Sequence, residues 1–175
     1  PIEMDCGPGP SVLIVGASVA LGWGVDDLAA AWWVRLCRMT GGHSLALAVP
    51  ATLVADHVRA LEDHREFVPD RTLAVVGAND LVLGLAPGVD GQVSRRVSAF
   101  HSGATELRRQ GMEVHLRLIL QPAPQGYDAE VRRAYAEMAR EVDLDLSALP
   151  VDYVDRIHFG RKGQRMLACA IAEIL

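Results

Sequence analysis

The sequence has only three cysteines, Cys6, Cys37 and Cys169, and no two of them form a CxxC pair. Their number is odd and their spacing wide, so neither a disulfide framework nor a Cys/His zinc site is encoded. Reduced, mostly buried thiols are expected. No apolar run is long enough to cross a bilayer as a helix, and no signal peptide opens the chain. A cytoplasmic protein with no membrane partner is the expectation. A basic stripe is missing too. Lys162 is the one lysine among 17 basic residues, which face 22 acidic ones interspersed with them. The net charge of −5 argues against a nucleic-acid partner. Low-complexity segments, repeats and linkers are also absent. One domain is the simplest organisation for 175 residues, half of them hydrophobic.

What is present is an alternation of two periodicities. Short apolar, β-branched runs at 11–16 (SVLIVG), 45–49 (LALAV), 71–76 (RTLAVV) and 113–120 (EVHLRLIL) read as strands buried on both faces. Between them lie helical patterns. Asp26 is placed to cap a helix running to about Met39, ended by Gly41 and Gly42. Further helices are predicted over 53–66, 89–109 (stopped by Gly111), 128–142 (with Asp128 as cap) and 162–175. A fifth strand, between 142 and 154, has the weakest pattern. Strands alternating with helices predict an α/β fold with a parallel sheet and helices on both faces. In such a sheet ligands bind beyond the carboxyl ends of the strands.

The segments in those places are therefore the ones to read for chemistry. GASVALGWG follows the first strand and PATL the second. GAND follows the third, QPAPQGY the fourth, and DRIHFG precedes the last helix. Ser18 lies two residues past the first strand, and a serine hydroxyl becomes a nucleophile only beside a base. Six histidines are available. His43, His57, His64, His101 and His115 fall in or beside regular elements and read as packing or surface residues. His158 differs, because Asp155 stands three residues before it in a loop. At that spacing a carboxylate can orient the ring through Nδ1 and leave Nε2 to face a serine. Asn79 in GAND is either a turn residue or an amide donor to an oxyanion. Other motifs fail. GxSxG is broken by Ala20, GxGxxG by the spacing of Gly16, Gly22 and Gly24, and no GK[ST] is present.

Ser18, Asn79 and the Asp155–His158 pair, in that order and at those strand ends, resemble the SGNH hydrolases, also called the GDSL family. The likeness runs from VGAS to the C-terminal helix. It implies a three-layer, flavodoxin-like α/β/α sandwich with about five parallel strands. It places the nucleophile at Ser18, the catalytic pair at Asp155 and His158, and an oxyanion hole at the Ser18 N–H, the Ala51 N–H and the Asn79 amide. The implied reaction is ester hydrolysis through an acyl-serine on a small-molecule substrate, without metal or cofactor. Acyl transfer from the same intermediate, or ligand binding without turnover, are the alternatives. Trp23, Leu83, Leu85 and 122–127, which ends in Tyr127, come from loops expected to ring the site and to suit a small or medium acyl chain. Trp32 and Trp33 read as core and helix surface.

Two residues depart from the family pattern. Ala17 replaces the acid of GDS, which helps to hold the loop around the nucleophile. Ala51 replaces a glycine, and can supply its N–H only where φ > 0 is not demanded. One residue earlier, Pro50 has no N–H to give.

Overall fold

A computed structural model describes residues 1–82, 92–111, 115–126 and 129–175. The expected buried strands are present: β2 (Ser11–Gly16), β3 (His43–Ala48), β4 (Arg71–Val76) and β5 (Leu116–Leu120). The weak fifth pattern yields only a two-residue strand, β6 (Leu144–Asp145), beside Ile119 and Leu120. A further strand, β1 (Ile2–Asp5), was not predicted. It pairs antiparallel with β3, from Ile2 opposite Ala46 to Asp5 opposite His43. Four mostly exposed residues at an edge carry no periodic signal, and only the pairing makes them a strand.

The sheet order is β1-β3-β2-β4-β5-β6, and every pair except β1·β3 is parallel. The five parallel strands thus run in the flavodoxin-like order, with the chain reversing direction across the sheet between β2 and β4. The pleat sends alternate side chains to opposite layers. Val12, Ile14, Leu73 and Val75 pack with Trp32, Trp33, Leu167 and Ile171 of α1 (Trp32–Thr40) and α6 (Arg161–Ala172). Leu13, Val15, Ala74 and Val76 pack against the other layer, through Leu61, Phe100, Leu107 and Tyr135. That layer comprises α2 (Val54–Asp63), α4 (Gln92–Gly111) and α5 (Ala129–Met138). A short α3 (Ala78–Val82) follows β4. This is the three-layer, flavodoxin-like α/β/α sandwich that was expected.

Several boundaries differ from the sequence pattern. The first helix starts at Trp32, not after Asp26. Asp27 caps a 3-10 turn over Leu28–Ala30, and Ala31 is extended, which separates that turn from α1. The N-terminus of α1 is closed by Gln164 Oε1, which accepts the Trp32 N–H at 3.0 Å. Gly41, at φ 62, ends the helix as expected. Asp128 lies outside the described residues, so its cap does too. Trp33 is not a surface residue: both indoles of α1 are fully buried. The thiols also differ from expectation. Cys37 is buried, Cys6 half-buried and Cys169 exposed, all unbridged. The Cys37 and Cys6 sulfurs meet at 2.8 Å, and burial, helped by that hydrogen bond, pushes the Cys37 thiol up to about 11. No helix among the described residues is long and apolar enough to cross a membrane.

Candidate active site

Ser18 sits in the first turn beyond β2, buried at the carboxyl edge of the sheet. Its loop is held by donors from elsewhere in the chain. Trp32 Nε1–H donates to the Val19 carbonyl at 2.8 Å, and Trp33 Nε1–H to the Leu21 carbonyl at 3.1 Å. Gln164 Nε2 donates to the Trp23 carbonyl at 2.9 Å, and the Trp23 N–H returns to the Ser18 carbonyl at 3.1 Å. With alanine at position 17, these groups fix the loop.

His158 and Asp155 reach the same place on a small antiparallel bridge. Tyr153 pairs with Phe159, and their rings meet edge to face with centroids 5.4 Å apart. The Val154 N–H donates to the His158 carbonyl, and the Gly160 N–H to the Asp152 carbonyl. Asp155 lies at the tip. Its Oδ1 accepts the Ile157 and His158 N–H groups, both at 2.7 Å, so the side chain itself shapes the turn. Asp155 Oδ2 accepts Nδ1–H of His158 at 2.6 Å, and His158 Nε2 meets Ser18 Oγ at 2.8 Å. With Nδ1 donating, Nε2 is left to accept the serine proton. Burial works to raise the Asp155 carboxyl, but the His158 ring and the two backbone donors outweigh it and hold it down at about 2. It therefore stays a carboxylate well into the acid range.

Asn79 is the second residue of α3, just after β4. One N–H of its amide donates to the Thr52 carbonyl at 3.1 Å, and an amide has a second to offer. That bond ties Asn79 to the loop containing Ala51. Pro50 and Ala51 form a turn in which Ala51 has φ 63. Proline followed by a residue of positive φ is the pattern of a type II turn, where glycine is usual. The expectation that alanine serves here only where φ > 0 is not demanded is thus corrected: Ala51 itself takes the left-handed conformation. For alanine it costs about 1–2 kcal/mol. Ala51→Gly is expected to raise the melting temperature by about 2 °C, because relief of that strain exceeds the entropy lost on adding a glycine. Ala51→Val is expected to lower it; thermal denaturation followed by circular dichroism checks both, and a lower value for the glycine variant would remove the strain.

Two residues that support this edge were not singled out in the sequence. Asp80, beside Asn79, is buried and accepts the Val54 N–H at 2.9 Å and the Gly77 N–H at 3.3 Å. Burial pushes its carboxyl up to about 6, against the pull of those donors. It joins the start of α2 to the β4–α3 turn, and so joins the two sides of the expected oxyanion hole. Gln164 is the other. It is a polar residue three before Leu167 on the buried face of α6, a signal that periodicity alone contains.

The remaining histidines are engaged elsewhere. His43 pairs with Glu3, and His101 with Glu141. His64 Nδ1 bonds the Ala60 carbonyl, and His115 sits in the turn before β5. Burial lowers His57 to about 4 and keeps it neutral. Trp23 stands beside His158, with ring centroids 5.5 Å apart. Leu83, Leu85 and Tyr127 lie outside the described residues. Among the described residues, no three His, Cys, Asp or Glu side chains group as a metal site.

The fold and this serine–histidine–aspartate line define an α/β/α sandwich with a nucleophile-type constellation at its carboxyl edge. The same fold is found in a protein from Desulfitobacterium hafniense DCB-2 assigned to the G-D-S-L lipolytic family. It has a TM-score of 0.71 and 15% identity, with 95% of this chain and 99% of that chain covered. The acetyl xylan esterase AlAXEase also has a TM-score of 0.71 at 15% identity, covering 94% and 99%. A catalytic mutant of Axe2, an acetylxylan esterase from Geobacillus stearothermophilus, has a TM-score of 0.68 at 18% identity, covering 97% and 95%. No protein-family model matches the chain, and no curated protein matches it in sequence.

Proposed function

We propose that this chain is a serine esterase that hydrolyses a small or medium carboxylic ester through an acyl-serine intermediate. The observation that carries this reading is the unbroken line from Ser18 Oγ through His158 to Asp155, at 2.8 and 2.6 Å. In the first half-reaction Ser18 Oγ bonds to the ester carbonyl carbon while His158 Nε2 takes its proton. The carbonyl oxygen, now negative, is met by the Ser18 and Ala51 N–H groups and the Asn79 amide. The bond to the alcohol oxygen then breaks, and His158 returns the proton to that oxygen. Water repeats the sequence on the acyl-serine and releases the acid. Asp155 stays ionised throughout and stabilises the imidazolium.

Similarity to esterases supports the reaction class. Within that set, Ser→Ala and His→Ala forms of the Geobacillus esterase are both solved as catalytic mutants. The named substrates there are acetyl esters of a polysaccharide, which fits a short acyl group. The reading without turnover draws on Ala17 and Ala51. The left-handed turn at Ala51 and the other donors on the Ser18 loop weigh against it.

Intact-mass spectrometry after a fluorophosphonate probe tests the reading. One adduct is expected on the wild-type chain and none on Ser18→Ala. A folded wild-type chain that takes no adduct would falsify the esterase and the acyltransferase readings together and leave ligand binding.

A further inference from the structure

Trp23 is 48% exposed, although indole side chains are mostly buried. Its exposure is not looseness. The N–H is tied to Ser18, and the carbonyl to Gln164, which is itself fully buried. The next residue, Gly24, has φ 107 and lies against the Phe159 backbone, where any Cβ would collide with the Phe159 carbonyl. Phe159 directly follows His158. The chain is thus clamped on both sides of Trp23, and the ring is held open to solvent beside the imidazole.

Proton bookkeeping gives that position a meaning. His158 Nε2 must return its proton to the departing oxygen, which therefore sits within hydrogen-bond reach of Nε2. The other oxygen of the ester turns toward Asn79 and the Ala51 loop. The alcohol part of the substrate accordingly leaves past the imidazole, and the Trp23 ring is the imidazole's neighbour, with centroids 5.5 Å apart. We infer that Trp23 is the platform for the leaving alcohol, and that this alcohol is a ring with a flat C–H face, the pyranose of an O-acetylated saccharide. The inference rests on the esterase reading above and assigns Trp23 to the alcohol, not to the acyl chain. A flat indole open to water suits a sugar, which lays its C–H face on the ring and leaves its hydroxyls solvated. A flexible alkyl chain needs an enclosed apolar groove to gain comparable burial. Gln164 is the positioning residue that holds the platform.

The test is a set of ester pairs on wild type, Trp23→Ala and Trp23→Phe. For each, kcat/KM is measured on an O-acetylated methyl pyranoside, ethyl acetate and ethyl butyrate. Wild type should prefer the pyranoside ester to ethyl acetate. In Trp23→Ala that preference should fall about three- to tenfold, mostly through KM, as expected for one lost ring contact. Trp23→Phe should recover most of it, and the butyrate-to-acetate ratio should keep its wild-type value. A changed acyl-length ratio with an unchanged pyranoside preference would overturn the inference. So would a wild-type chain that shows no pyranoside preference while Ser18 takes the fluorophosphonate label. Absence of the label itself would overturn the esterase reading, and this one with it.

Discussion

His158→Ala is expected to reduce kcat/KM for any accepted ester by a factor on the order of 10⁵, and to abolish labelling of Ser18 on the same time scale. The size of the effect follows from the geometry. Ser18 Oγ has its proton acceptor at 2.8 Å in His158 Nε2, and removal of the ring leaves the hydroxyl at its ordinary, weakly nucleophilic state. Asp155→Asn is expected to cost less, about 10²–10⁴-fold. An asparagine oxygen can still accept the Ile157 and His158 N–H groups, so the turn survives. Its NH₂ would then face Nδ1 and favour the tautomer with the proton on Nε2, which cannot accept from Ser18. Steady-state kinetics of both variants on one ester decide the matter. Equal rates for wild type and His158→Ala would remove His158 from the reaction.

The second large effect is at Asn79. Replacement by alanine should lower kcat by about 10²–10³-fold with little change in KM, because in the proposed mechanism the lost donor serves the oxyanion more than the ground-state carbonyl. The same change releases the Thr52 carbonyl from its 3.1 Å partner, so the Ala51 loop loses a tether. Asn79→Asp separates the two contributions. It keeps the size of the side chain but places acceptor oxygens, and a negative charge, where the oxyanion would form. Activity should then fall below that of the alanine variant. If the alanine variant lost less than about fivefold in kcat, Asn79 would have to be read as a loop tether and not as an oxyanion donor.

The neighbourhood of Ser18, Asn79 and the Asp155–His158 pair could be seen in the sequence for a local reason. A strand buried on both faces is a continuous apolar run, so its end is marked by the first polar or glycine residues after it. VLIV then GAS, and LAVV then GAND, are two such marks. Asp155 and His158 are also local to each other, three residues apart in one turn. Helix ends were less legible. The break at Ala31 has no residue that announces it, and α1 starts where a glutamine 132 residues away can receive its first N–H.

The sequence by itself determined the alternation of elements, the layers into which their apolar faces pack, and the residues left at the strand ends. These depend on spacings of two and 3.6 residues, which neighbouring side chains impose. Only the tertiary structure decided what meets across the chain: His158 with Ser18 over 140 residues, Trp32 and Trp33 with the Ser18 loop, Asp80 with the start of α2, and β1 with β3. It also decided that Ala51 adopts a left-handed conformation. Such contacts are single hydrogen bonds or backbone angles set by how the layers close on one another. No period in the sequence records them.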